Sequence, residues 1–126
     1  MAGMIGLVIC VINVGLHLMV IYGLIPYQWV NGGRSESLMD AQQTSGLSIM
    51  LTLIFALIIL IACRMMPVRL NRRVGLIITV FLILTLPLTF VSIIYQFLGT
   101  PFEKCFTGII TIVAFGIHAR IAFEKR

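Results

Sequence analysis

Charge is what this sequence has least of. Nine Lys or Arg and four Asp or Glu among 126 residues make 10% of the chain charged, whereas 60% is apolar. Soluble proteins carry roughly 25% charged and 45–50% apolar residues. A water-soluble fold of this length must cover itself with polar groups, and so few charges cannot do it, which excludes an ordinary soluble globule. The acidic residues Glu36, Asp40, Glu103 and Glu124 all lie outside the long apolar runs. Small multidrug exporters of similar length couple protons through a glutamate in their first helix. Here the corresponding polar residue is Asn13, which cannot titrate, so proton-coupled export would rest on His17 alone.

The other scarcities narrow the chemistry further. Cys10, Cys63 and Cys105 are far apart, and only Cys105 falls near the outward face, so the paired outer cysteines of four-helix thiol oxidases are missing and no disulfide is expected. His17 and His118 fall in opposite leaflets with no carboxylate inside a helix to join either, which argues against a metal site. His118 reads as interfacial. There is no nucleophile with a base, no carboxylate pair on one helix and no nucleotide-binding loop, since Gly32-Gly33 alone is too weak a motif. No catalytic residue and no cofactor is therefore expected. Lipid-modifying catalysis by His17 with Glu36 or Asp40 stands as a minor alternative.

What the sequence has is long uncharged runs. Residues 2–25, 44–63 and 74–97 carry no charge, and each is long enough for a helix to cross a hydrocarbon core of about 30 Å, which takes about 20 residues. A shorter run, 105–119, reaches that length if Phe102 joins at one end and Arg120 snorkels past Ile121 to Phe123 at the other. The runs are continuously apolar, without the strict alternation of a membrane β-barrel. Nothing basic precedes the first run and no small-x-small site precedes Pro26, so it reads as a retained helix and not a cleaved signal. The expected fold is all-α: one domain, residues 1–126, with four transmembrane helices at about 2–25, 44–63, 74–97 and 102–123 in an antiparallel bundle.

Cation placement sets the orientation. Arg64, Arg69, Arg72, Arg73, Arg120, Lys125 and Arg126 share one side, against Arg34 and Lys104 on the other. By the positive-inside rule both termini are cytoplasmic, in a bacterial cytoplasmic membrane, and this bias opposes the dual topology of fluoride channels of this size. The basic rim serves topology first and attracts anionic lipid headgroups by about 1 kcal/mol per cation. With no aromatic interleaving, it does not indicate nucleic-acid binding. Gly15 and Gly23 on helix one and Gly108 and Gly116 on helix four offer small faces for packing within the bundle or in a homo-oligomer.

Polar residues concentrate in the outer leaflet. Asn13 and His17 share a face of helix one; Thr85, Thr89, Ser92 and Gln96 form a stripe on helix three; Thr107 and Thr111 lie on helix four; Ser45, Ser48 and Thr52 lie on helix two. One reading is interhelical hydrogen bonding, because helices in lipid lack a hydrophobic drive to associate. The other is an outward-opening pocket floored near Asn13 and Thr85, with Pro87 bending helix three beside it. The first outer loop caps it. Tyr27 and Trp29 suit the headgroup belt, Asn31-Gly32-Gly33 reads as a tight turn, and Arg34 emerges beside exposed amides able to hold a carboxylate or phosphate. Arg34 is expected to pair with Glu103. The candidate ligand-binding residues are thus Asn13, His17, Trp29, Asn31, Arg34, Thr89, Ser92, Gln96, Glu103 and Thr107.

Ile25-Pro26-Tyr27, Gly32-Gly33-Arg34, Phe102-Glu103-Lys104 with Phe106-Thr107 and Thr111, and Arg120-Ile121-Ala122 resemble the motifs of a family of small four-helix bacterial integral membrane proteins of unknown function. There an IPY…GGR or GGK loop follows helix one and an FEK-x-x-T segment opens helix four. The chain departs from that pattern at Asn31, where tryptophan is more usual. The resemblance implies the fold and a bacterial inner-membrane location, and no activity. The expected function is binding of a small polar or lipid-like ligand in the outer pocket, or service as an accessory subunit of a membrane-protein partner. A small transporter or channel subunit is the alternative.

Overall fold

The computed structural model describes residues 1–66 and 71–123. Arg69, Lys125 and Arg126, counted in the basic rim, and Glu124 lie outside the described residues. The chain forms α1 (Ala2–Ile21), α2 (Leu38–Ala62), α3 (Arg72–Phe97) and α4 (Gly108–Phe123). A π-helical turn, Glu103–Thr107, extends α4 to membrane length, so that four helices are long and apolar enough to cross a bilayer. No strand occurs among the described residues.

Local chemistry, and not the nearest charge, sets the end of α1 and the starts of α2 and α3. α1 stops at Ile21, short of residue 25, because Gly23 adopts φ 70° and lets Leu24 N–H reach the Met19 carbonyl at 2.8 Å. Gly23 N–H bonds the Val20 carbonyl at 3.0 Å in the same cap. α2 begins at Leu38, well before residue 44, because Ser37 Oγ accepts the Asp40 N–H at 3.2 Å and Asp40 lies in the first turn, at the positive end of the helix dipole. Asn71 Oδ1 accepts the Val74 N–H at 2.8 Å and brings Arg72 and Arg73 inside α3. Counting uncharged residues misses these capped, charged first turns.

Side-chain pairs fix the helices antiparallel. Gln42 Nε2 donates to the Ile21 carbonyl at 2.9 Å, and farther along the same pair of helices His17 faces Ser45 and Asn13 faces Thr52. On α3 and α4, Gln96 faces Thr107 and Thr85 faces His118. α1 joins the two pairs by packing on α4, whereas α2 and α3 scarcely meet. The four helices therefore wrap in the order α2, α1, α4, α3 and leave a gap between the first and last.

An apolar cluster including Cys10, Ile59, Leu82, Ile117 and Ile121 fills the end of the bundle where both termini lie. A smaller one, Val20, Val30 and Ala41 with Tyr27 and Phe102 against it, seats the loops at the opposite end. Close approach at the terminal end depends on Gly6, where a Cβ would sit 3.0 Å from Ile59 Cδ1 and 3.3 Å from Ile117 Cγ2. Gly15, Gly23 and Gly116 meet nothing within 4 Å, so these expected small faces do not carry the packing within the bundle. The outward faces are apolar and bare, with Val11 71% and Leu84 69% exposed.

The turn Asn31–Gly33 depends on backbone freedom. Gly33 has φ 65°, and a Cβ there would approach the Gln28 carbonyl oxygen to 3.2 Å. Gly33→Ala is expected to destabilise the protein by about 1–2 kcal/mol, read as a lower thermal midpoint by circular dichroism in detergent. Gly15→Ala, within a helix and with open space around it, should hold or raise that midpoint.

Candidate functional site

From the apolar cluster at the loop end into the one at the terminal end runs a cavity of 620 Å³. Nine of the ten candidate residues line it: Asn13, His17, Asn31, Arg34, Thr89, Ser92, Gln96, Glu103 and Thr107. Trp29 does not. It is 50% exposed on the rim, its ring centroid 5.7 Å from that of Phe102, which in turn stacks on Phe106 at 5.4 Å. Three aromatic rings thus run along the loop end outside the cavity. The cavity also reaches deeper than Asn13 and Thr85, down α1 to Cys10 and Gly6. From His17 to Gly6 the lining spans about 16 Å at 1.5 Å rise per residue.

The loop end is organised around Glu103, only 5% exposed. Its Oε1 accepts the Gly32 N–H at 2.8 Å and its Oε2 the Thr100 N–H at 3.0 Å. Thr100 Oγ1 donates to the Trp29 carbonyl at 2.6 Å, a second tie between the two connections. A Cβ on Gly99 would collide with the Glu103 carboxylate, so a residue without a side chain is required there. The expected Arg34–Glu103 ion pair is replaced by this arrangement. Backbone amides satisfy the carboxylate, and the Arg34 guanidinium lies over the Tyr95 ring, 4.7 Å from its centroid. An arginine stacked on an aromatic face keeps its N–H edges available. Asn31, in the left-handed conformation at φ 57°, carries a buried amide nitrogen with no hydrogen-bond partner.

Below the mouth, the polar stripe is largely spent on cross-helix bonds. Thr52 Oγ1 donates to Asn13 Oδ1 at 3.0 Å, and His17 Nδ1 lies 3.1 Å from Ser45 Oγ, both between α1 and α2. Thr107 Oγ1 donates to Gln96 Oε1 between the start of α4 and α3. Thr89 Oγ1 bonds its own helix at the Leu86 carbonyl, 2.8 Å away. These bonds zip α1 to α2 and α3 to α4, and none of them crosses the cavity. The polar residues both hold two walls together and face the space between them.

His118 departs from its interfacial reading. It is 1% exposed, and its Nε2–H donates to the Leu82 carbonyl at 2.9 Å, one residue before the Ile83 carbonyl that Pro87 leaves without its usual donor. Thr85 Oγ1 lies 3.2 Å away and the Phe55 ring 5.0 Å away, while Nδ1 has no partner. The sequence did carry a signal for it, since Thr107, Thr111 and His118 recur at four and seven residues along one helical face. Tyr95 and Thr111 likewise line the cavity. His17 is not brought together with Glu36 or Asp40; Asp40 Oδ2 instead accepts the Glu36 N–H at 3.3 Å beside the α2 cap. Among the described residues no three His, Cys, Asp or Glu side chains converge to hold a metal ion.

Removing the Glu103 carboxylate strands two amides, each costing about 1–3 kcal/mol when left unsatisfied. Glu103→Ala is therefore expected to lower the thermal midpoint markedly and to accelerate hydrogen exchange at Gly32. Arg34→Ala, which loses a partly exposed cation–π contact of about 0.5–1 kcal/mol, should leave both nearly unchanged.

Compared with known proteins, the chain matches no family model, no curated protein and no solved structure.

Proposed function

We propose that the chain is a multi-pass protein of the bacterial cytoplasmic membrane that binds a small polar or lipid-like molecule in a cavity opening on the outer face. The observation that carries this reading is the cavity itself: 620 Å³ inside four membrane-length helices, with Arg34, Asn31, Gln96 and Glu103 around one end and Leu51, Phe55, Ile110 and Ile117 along its depth. Ligand sites of about 300–1,000 Å³ combine an apolar lining with a few placed polar groups in this way. Binding is favoured over passage because buried Ala62, Ile78, Ile121 and Ala122 of the apolar cluster pack beyond Gly6, Phe81 and His118, the deepest lining residues. The proposed orientation follows the cations: Arg64, Arg72, Arg73 and Arg120 lie toward the terminal end, Arg34 and Lys104 at the loop end.

Two experiments test it. Native mass spectrometry of the full chain released from detergent is expected to show a retained small-molecule adduct at one per chain, reduced about tenfold in Ala114→Trp, which fills the cavity. An unchanged adduct in that variant would place the ligand elsewhere. For orientation, the exposed Cys105 should react with a membrane-impermeant maleimide in intact cells when Cys10 and Cys63 are replaced by serine. Cys63 alone should react only after permeabilisation, and the reverse pattern would refute cytoplasmic termini.

A further inference from the structure

We propose that the cavity takes an anionic amphiphile from the lipid phase, a phosphate or carboxylate head on one hydrocarbon chain, with the head at Arg34 and the chain lying toward the gap between α2 and α3. This rests on the binding reading above and names the class of ligand.

The sign of the head follows from which groups at the mouth remain free. Both Glu103 oxygens are occupied by backbone N–H groups and the side chain is buried, so it offers little to a cation. Arg34 lines the same space, is exposed, and has its guanidinium face on Tyr95 and not in an ion pair. Its N–H edge matches the two oxygens of a carboxylate or phosphate. Asn31, on the neighbouring turn, adds an amide nitrogen lacking an acceptor, so the mouth holds donors in excess. An unpaired buried donor costs free energy that an acceptor on a ligand recovers.

The chain follows from the shape below the mouth. The lining runs about 22 Å down α3 from Gln96 to Phe81, most of a hydrocarbon core of about 30 Å. At 620 Å³ the space is too large for a phosphate or carboxylate head alone to fill, and it is walled by Leu51, Phe55, Leu88 and Ile110. Its side is open as well. Leu51 on α2 and Leu88 on α3 line the cavity and are 56% and 67% exposed, on the two helices that scarcely touch. In a bilayer that gap faces acyl chains, so an amphiphile reaches the cavity sideways without leaving the lipid phase.

The test compares three probes of one chain length on the detergent-solubilised full chain by native mass spectrometry: hexadecyl phosphate, hexadecanol and hexadecyltrimethylammonium. Hexadecyl phosphate should be retained about tenfold better than the alcohol, and the ammonium no better than the alcohol. Arg34→Gln should bring the phosphate to within about twofold of the alcohol at an unchanged thermal midpoint, with Arg34→Lys intermediate. A diazirine at the chain end should label residues of α2 and α3 that border the gap. Equal retention of all three probes, with Arg34→Gln without effect, overturns the anionic head while leaving binding in the cavity standing. Failure of every probe to exceed the Ala114→Trp background overturns both. Displacement of hexadecyl phosphate by an equal concentration of inorganic phosphate shows a site for a free anion and overturns the amphiphile, as does labelling spread over outward residues such as Val11 and Leu84.

Discussion

One buried carboxylate organises the functional end of this molecule. Glu103 enters from the π-helical turn before α4 and accepts N–H groups from Gly32, in the connection after α1, and from Thr100, in the connection after α3. Those two connections are remote in sequence and share no secondary structure. Charge-assisted bonds to amides are among the stronger interactions a loop can make, and here they fix where the turn Asn31–Gly33 sits. Arg34 follows directly, so its place over Tyr95 at the cavity mouth is inherited from the Glu103 contacts. The π turn belongs to the same device. Its widened winding sets Glu103 into the loops while Thr107, at its end, still reaches Gln96 on α3.

Below that mouth the bundle inverts the logic of a soluble protein. Exposed faces are apolar, and polar side chains point inward, where they bond one helix to the next. Each interhelical bond contributes on the order of 0.6 kcal/mol, so the Asn13–Thr52, His17–Ser45 and Gln96–Thr107 pairs supply register more than strength. Their distribution shapes the molecule. All three lie within the α1–α2 and α3–α4 walls, and the contact between walls is made by α1 on α4 and by Phe55 against His118. α2 and α3 are left without a polar seam, and the space between the walls stays open along that side.

The candidate site was legible in the sequence to the extent that it follows helical periodicity. Asn13 with His17, and Thr89 with Ser92 and Gln96, line the cavity because residues three and four apart share a face, and that much needs no coordinates. Other features follow from contacts between distant segments. Topology puts Arg34 and Glu103 at one end of the bundle; the Thr100 amide reaches Glu103 through a local T-x-x-E capping box, whereas the Gly32 amide becomes available only when the 22–37 and 98–102 connections meet. Trp29 sits two residues from Asn31 and faces a different way, since the intervening turns direct it toward Phe102. His118 reads as interfacial from its place near the end of helix four, and its burial is decided by the neighbouring helices, where the Leu82 carbonyl of α3 and the Phe55 ring of α2 meet it.

The sequence by itself determined that the chain is built of four apolar helices with polar faces and a strong cation bias, because composition, run length and periodicity are properties of adjacent residues. Capping chemistry then set the helix ends, through Gly23, Ser37 and Asn71, on signals just as local. Tertiary structure alone decided that α2 and α3 would stay apart, that Glu103, held locally by Thr100, would also take the Gly32 amide and Arg34 an aromatic face, and that a cavity would remain. Those outcomes depend on which surfaces meet after the helices have formed, and long-range contacts of that kind leave no periodic trace in the chain.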